Sequence, residues 1–282
     1  MNIFNILTEI EKVDPEVYAR FDSRRRVFKH LGGFGKKLAA AAIPVAFGAV
    51  FNKAYGQGTS NAAIISILNF ALTAELTDST YYRKVLEANG AALPATFKTG
   101  LTLIRDNELG HVATLQAAIT ALGGTPVTIA ETRLDFTAGG RLPNPFTDYA
   151  TVLALGQAFE DTGVRAYKGQ APGLMTNDMV LQTALQIHSV EARHAAYFRR
   201  MRRDSQNLAT NQPWITMKDR GGLPDWTQPV YDGEELTTQA TVPIATNGIS
   251  ADSASEAFDE PLDRATVIAI LNNFYLAGQK LS

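Results

Sequence analysis

The sequence predicts an all-α protein: a four-helix bundle with a long crossover between its second and third helices, followed by an irregular C-terminal extension carrying a fifth, shorter helix. Two observations lead there. Between residues 60 and 203, four segments repeat apolar residues in steps of three and four, the spacing that puts them on one face of a helix. Gly- and Pro-rich breaks separate those segments, and with 45% hydrophobic and 19% charged residues among 282 the chain can bury one sizeable core.

The first segment begins after Ser60, a residue suited to cap a helix, carries Ile64, Leu68, Ala71, Tyr82 and Leu86 on one face, and stops at Asn89-Gly90. The second starts near Pro94, carries Phe97, Leu101, Ile104, Leu115, Ala118 and Leu122, and ends at Gly123-Gly124. A Gly/Pro-rich crossover runs from Gly124 to Pro145. The third segment spans about Thr147 to Lys168, with Tyr149, Leu153, Val164 and Tyr167 on one face, and Pro172-Gly173 breaks the chain after it. The fourth opens near Thr176 and presents Val180, Ala184, Ile187, Phe198 and Met201. Its last turn is basic, with Arg199, Arg200, Arg202 and Arg203 where cations suit the helix dipole. From about Asp204 the pattern loosens into Pro, Gly, Thr and Asp, expected to wrap on the bundle as irregular structure. A fifth helix is expected from Glu260-Pro261, with Val267, Ile270, Leu271 and Phe274 as a stripe that docks on the bundle or on another subunit.

Composition narrows the chemistry. The 26 basic and 28 acidic residues leave a formal charge of −2, and no long basic block lies beyond position 53, which argues against a nucleic-acid partner. The absence of cysteine excludes disulfides, thiolate metal sites, iron–sulfur clusters and cysteine nucleophiles, so any metal is held by oxygen and imidazole. Residues 1–56 stand apart. Ser23-Arg24-Arg25-Arg26-Val27-Phe28-Lys29 precedes an apolar run from Leu38 to Phe51 and the small-residue site Ala54-Tyr55-Gly56, an order similar to a twin-arginine export signal. Pro44 and Gly48 interrupt the run, and it falls short of the roughly 20 apolar residues a spanning helix needs. The expectation is therefore an export signal over 1–56, a bundle over 57–205, an extension over 206–282, a periplasmic or otherwise extracytoplasmic location, and no permanent membrane span.

The apolar stripes are interrupted by charged residues at regular places. In the second helix the inward series reads Phe97, Leu101, Ile104, Glu108, His111, Leu115, Ala118, Leu122, and in the fourth Val180, Ala184, Ile187, Glu191, His194, Phe198, Met201. Glu75 takes the stripe position between Ala71 and Tyr82, and Glu160 follows Leu153 and Gly156. Four helices thus each aim a carboxylate inward and two add a histidine. Burying carboxylates costs several kcal/mol or more per ion unless the charge is cancelled. Two divalent cations would balance four carboxylates. Oxygen and imidazole donors suit iron or manganese, and zinc as well. The Glu-x-x-His spacing sets both ligands one turn apart on one face, as in dimetal helix bundles generally.

The roles are duplicated along the chain. Glu75 and Glu160 are 85 residues apart, and Glu108 to Glu191 and His111 to His194 are each 83, as two helix pairs related by a pseudo-twofold axis would give. Tyr82 and Tyr167, each seven residues after its glutamate, extend the match, either as core aromatics or as redox or supporting groups beside the ligands. Asp78, three after Glu75, could accept a ring proton from a ligating histidine or could be a solvated aspartate. His188 is a further candidate, as ligand, supporting partner or ordinary partly buried histidine. Gly156 and Gly163 beside Glu160 are expected to leave room for a small ligand.

With these residues placed, Asn107–Val112, Phe159–Tyr167 and Val190–Phe198 look like recurrent segments of the ferritin-like domain family that includes plant desiccation-related and fungal stress-induced proteins. The resemblance, from Ser60 to Arg203, implies that Glu108 and Glu191 bridge two metals, that Glu75 with His111 completes one, and that Glu160 with His194 completes the other. A di-iron protein reacting with oxygen or peroxide is the first functional expectation. Manganese catalase is the second, and a metal-stabilised structural or stress-protective protein the third; the chain could also form a homo-oligomer.

Overall fold

The computed structural model describes residues 61–89, 93–239 and 242–282. The expected export signal, and Ser60 as a cap, lie outside the described residues. Four long helices dominate: α1 (Asn61–Asn89), α2 (Ala95–Ala121), α3 (Tyr149–Gln170) and α4 (Asp178–Gln206). Their ends follow local chemistry. Asp148 caps α3 by accepting from the Thr151 backbone N–H at 2.9 Å, and Asn177 caps α4 by accepting from Val180 at 3.0 Å. Both helices therefore start two residues later than the stripe alone suggests. At the end of α2, Gly123 takes a left-handed φ of 81°, and Gly123 and Gly124 return hydrogen bonds to Thr120 and Ile119.

The helices pack as two antiparallel hairpins, α1 with α2 and α3 with α4. Asn61 at the start of α1 donates to the Leu122 carbonyl at the end of α2, and Asp161 of α3 meets Arg199 late in α4. The crossover travels the length of α1. Val127 donates to Asn69, Glu131 pairs with Arg83 and Lys84, and the Tyr81 hydroxyl donates to the Pro145 carbonyl at 2.8 Å. That path delivers the chain back to the opposite end, so α3 lies antiparallel to α1.

The extension covers the outer side of α3, so from Leu155 to Tyr167 every residue of that helix is buried. Its regular pieces are a two-stranded antiparallel ribbon, β1 (Thr238–Gln239) with β2 (Val242–Pro243), and two short helices, α5 (Ala251–Ser255) and α6 (Arg264–Leu271). The fifth helix expected from Glu260-Pro261 is α6, and it starts later because the backbone before it is committed elsewhere. The Glu260 N–H donates to Glu234, the Leu262 N–H to the Arg165 carbonyl, and Asp263 caps the helix through the Thr266 N–H at 2.7 Å. Its apolar side, Val267, Ile270 and Leu271, packs on the bundle with Phe70, Ala158 and Ala166. Among the described residues no helix is long and apolar enough to cross a membrane.

Two buried arginines on α3 and α4 hold the extension in place. Arg165 pairs with Glu234 at 2.6 Å and donates to the Val230, Asp232 and Glu260 carbonyls. Arg199 grips Asp161 through Nε and Nη2 and also donates to the Trp214 carbonyl. Asp161→Ala leaves the Arg199 guanidinium buried without its carboxylate, a change expected to cost about 3–5 kcal/mol in urea unfolding. A loss under about 1 kcal/mol would mean that the pair does not anchor this face.

Candidate metal centre

The apolar layers above and below the middle of the bundle differ in make-up, and the charged residues lie between them. One layer gathers Ile64, Leu68, Leu115, Leu122 and Val180, and the other Tyr81, Phe97, Leu101, Phe159 and Phe198. Glu75 of α1, Glu108 and His111 of α2, Glu160 of α3, and Glu191 and His194 of α4 meet there, all buried. The structure thus brings all six sequence candidates together.

Their geometry is that of two adjoining sets. His111 Nδ1 lies 3.0 Å from Glu191 Oε1, 3.2 Å from Glu108 Oε2 and 3.3 Å from Glu75 Oε2. His194 Nδ1 lies 2.8 Å from Glu108 Oε1 and 3.2 Å from Glu160 Oε2. Glu108 therefore turns one oxygen toward each histidine. One ring nitrogen can direct a single N–H at a single acceptor, so His111 Nδ1 cannot satisfy three carboxylates at once. Glu108 Oε1 and Glu191 Oε1 have no hydrogen-bond partner despite these short approaches, because the angles are wrong for one. Among the described residues, the ion pairs of these four glutamates are with His111 and His194, and no arginine or lysine is among them. Protonating both histidines would still leave four carboxylates against two cations. The buried carboxylate and histidine cluster can hold metal ions. Glu75, Glu108, His111 and Glu191 form one group, and Glu108, Glu160, Glu191 and His194 another, with ligand atoms in each within 4.8 Å of one another.

The surrounding residues orient this cluster, and here the structure adds to the sequence reading. The Tyr167 hydroxyl donates to Glu75 Oε1 at 2.5 Å and the Tyr82 hydroxyl donates to Glu160 Oε1. Each tyrosine, seven residues after one glutamate, thus holds the glutamate of the other hairpin. Burial, reinforced by the carboxylate each one faces, pushes both phenols well above their usual range and keeps them as donors. Asn107, which sequence reasoning passed over, places its side-chain oxygen 3.2 Å from His194 Nε2. Accepting the Nε2 proton there turns Nδ1 toward Glu108 and Glu160 and, in the neutral ring, would leave Nδ1 as the nitrogen able to take a metal. Its position directly before Glu108 was the one signal available.

Other expectations change. His188 is half-buried and its Nδ1 lies 2.9 Å from the Val164 carbonyl, so it ties α4 to α3 and is not part of the cluster. Asp78 is buried, but its Oδ1 has no partner, and neither histidine's hydrogen bonds reach it. Burial, then the Glu160, Glu75 and Glu191 carboxylates, push its pKa well above the usual range. Gly156 opens no space for a ligand. A Cβ there would sit 2.3 Å from the Phe198 ring, so that ring uses the gap. At Gly163 a Cβ would meet Glu191 Oε2 at 2.6 Å, so this glycine lets the carboxylate approach α3. Room for a small molecule lies instead in a narrow apolar cavity of about 20 Å³ between α1, α3 and α4, flanked by Ala71, Ala74, Ala166 and Ala184 and ending at Glu75, Asp78 and Glu191.

Without metal the cluster holds protons. Burial and the neighbouring carboxylates raise Glu108 and Glu191 well above the usual range. His111 and His194 are raised by the carboxylates around them, which overcome the opposing effect of burial. Glu75 is lowered, chiefly by His111 acting against burial. Raised folded-state values mean that the native protein binds more protons than the unfolded chain. For the two glutamates that stabilisation starts to fade above about pH 4.5, and for the histidines above about pH 6.5. Glu75 acts in the opposite sense, adding stability above its unfolded pKa that is lost as pH falls. The metal-free melting temperature is therefore expected to fall from pH 5 to pH 8, and the combined Glu108→Gln and Glu191→Gln variant to show a flatter slope. An identical slope in both proteins would contradict the cluster's protonation.

A family model described as ferritin-like domain matches residues 63–204, the span of the four long helices and of all six clustered side chains. No curated protein and no solved structure matches the chain. The bundle, its crossover, and the paired Glu-x-x-His steps on α2 and α4 agree with that match, and the chain belongs to the ferritin-like domain family.

Proposed function

We propose that Glu75, Glu108, His111 and Glu191 hold one divalent ion and Glu108, Glu160, Glu191 and His194 a second, that both are iron, and that the loaded protein reacts with oxygen or peroxide in a stress-related redox role. The observation that carries this is the pair of ligand groups sharing Glu108 and Glu191, with orphaned carboxylate oxygens turned toward the His111 and His194 Nδ1 atoms. Two divalent ions cancel four carboxylates, and the all-oxygen-and-nitrogen donor set fits iron. Bound iron supplies electron transfer and Lewis acidity at the position where the six side chains converge.

The chain's own residues set the conditions for that chemistry. Tyr82 and Tyr167 hold Glu160 and Glu75 in place, and Asn107 fixes the His194 tautomer. The apolar cavity ending at Glu75 and Glu191 is on the scale of a single small molecule. That size supports oxygen or peroxide as the reactant and disfavours a bulky metabolite. The same donors suit manganese, which gives the second reading, disproportionation of peroxide.

Elemental analysis of protein purified from its native host is expected to find two irons per chain. Glu108→Ala and His194→Ala should each lower the content sharply, and full retention in the double variant would sink the ligand assignment. Anaerobic ferrous loading followed by mixing with oxygen should raise near-ultraviolet absorbance, and the rise should depend on Glu75 and Glu160. A protein inert with iron but rapid in destroying peroxide with manganese would replace this reading by catalase. Inertness with both metals would favour a structural role.

We further propose export by the twin-arginine route, motivated by Arg24-Arg25 ahead of the Leu38–Phe51 run. The mature N-terminus is expected near Gln57, and an intact Met1 on extracytoplasmic protein would contradict cleavage.

A further inference from the structure

The outer side of α3 carries a second buried polar network, separate from the metal centre. Asp161 accepts from Arg199 Nη2 at 2.7 Å and from the Tyr231 hydroxyl at 2.8 Å. Gln157 Oε1 accepts from Arg202 Nη1 at 2.6 Å and Asn211 Nδ2 at 3.2 Å, and Gln157 Nε2 donates to the Tyr231 hydroxyl at 3.1 Å. The network therefore holds two guanidinium groups and one carboxylate, and that carboxylate pairs with Arg199.

Arg202 is the group left over. It is 3% exposed, its hydrogen bond is to the neutral Gln157, and its Nε has no acceptor. Among the described residues it forms no ion pair. Burial presses its pKa below the ordinary arginine value and the neighbouring Arg199 adds to this, while Tyr231, Asp161 and Asp219 act the other way without forming an ion pair with it.

Arg202 also lines a pocket of about 240 Å³, bounded by α3, the end of α4, the crossover and residues 222–227 of the extension. Ala150, Ala154 and Ala158, one turn apart on α3, keep its floor low, and Leu142, Leu223 and Trp226 complete an apolar wall. We propose that this pocket binds a small organic carboxylate whose charge pairs with Arg202 and whose apolar body fills the space beside Trp226. A bare inorganic anion would leave the apolar wall in contact with water, and a neutral apolar molecule would leave the guanidinium unpaired. A carboxylate on a ring or short chain answers both needs.

Trp226 is the natural reporter, since Trp214 is the one other tryptophan in the sequence. Full-length Trp214→Phe protein titrated with benzoate is expected to show a saturable change in fluorescence, with benzyl alcohol, the same ring without the charge, binding at least roughly tenfold more weakly. Arg202→Gln should weaken benzoate binding by a similar factor. Ala154→Leu should do the same by filling the floor while leaving the guanidinium in place, and it decides the matter if Arg202→Gln fails to fold in a thermal melt. No saturable response to benzoate up to about 10 mM overturns the proposal, as does equal binding of benzoate and benzyl alcohol. Sulfate binding as tightly as benzoate, unaffected by Ala154→Leu, would show a bare anion site and overturn the assignment to an organic acid.

Discussion

Four carboxylates in the middle of an apolar helix bundle impose the condition around which the rest of this protein is arranged. Each ion withdrawn from water costs several kcal/mol, and the two clustered histidines, even if both are charged, cancel only half of the charge. The protein meets that condition by convergence. Each ligand group draws on three helices, α1, α2 and α4 for one and α2, α3 and α4 for the other, so neither hairpin can assemble either group alone. The tyrosines strengthen that interdependence, because each holds the glutamate of the opposite hairpin. Assembly of the cluster therefore requires the two hairpins to dock.

The pseudo-twofold relation is close for the clustered residues and looser around them. Glu75 with Tyr167 mirrors Glu160 with Tyr82, and Glu108 with His111 mirrors Glu191 with His194. Yet Asn107, which faces His194, has Val190 at the matching place before Glu191. The outer environments differ as well. α3 is wrapped by the extension along its central turns, whereas α1 is followed along its length by the crossover. Glu160 and Asp161, adjacent in sequence, point about 100° apart on α3, so one serves the cluster and the other clamps the extension.

The bundle and the six clustered residues were legible in the sequence because they rest on local periodicity. A charged residue at a stripe position, repeated with nearly constant separation, shows itself without knowledge of the fold. What could not be read depends on which elements become neighbours. The equal spacing of Tyr82 from Glu75 and Tyr167 from Glu160 marked the duplication, but not the exchange of partners between hairpins. Gly156 and Gly163 suggested open space, and the structure gives that space to the Phe198 ring and the Glu191 carboxylate. Asp161, Arg165, Arg199 and Arg202 look like ordinary helix-surface charges until the extension covers them, and an irregular segment offers no period from which its path could be predicted. The start of α6 was misplaced for the same reason, since Glu260 and Leu262 spend their backbone N–H groups on distant partners.

Anomalous diffraction at the iron edge, from crystals of protein purified without added metal, would locate the ions directly. Two peaks are expected, one among Glu75, Glu108, His111 and Glu191 and the other among Glu108, Glu160, Glu191 and His194, with Glu108 and Glu191 between them. A well-ordered bundle with no anomalous peak at the iron, manganese or zinc edge would contradict the charge argument, as would a single peak lying outside both groups.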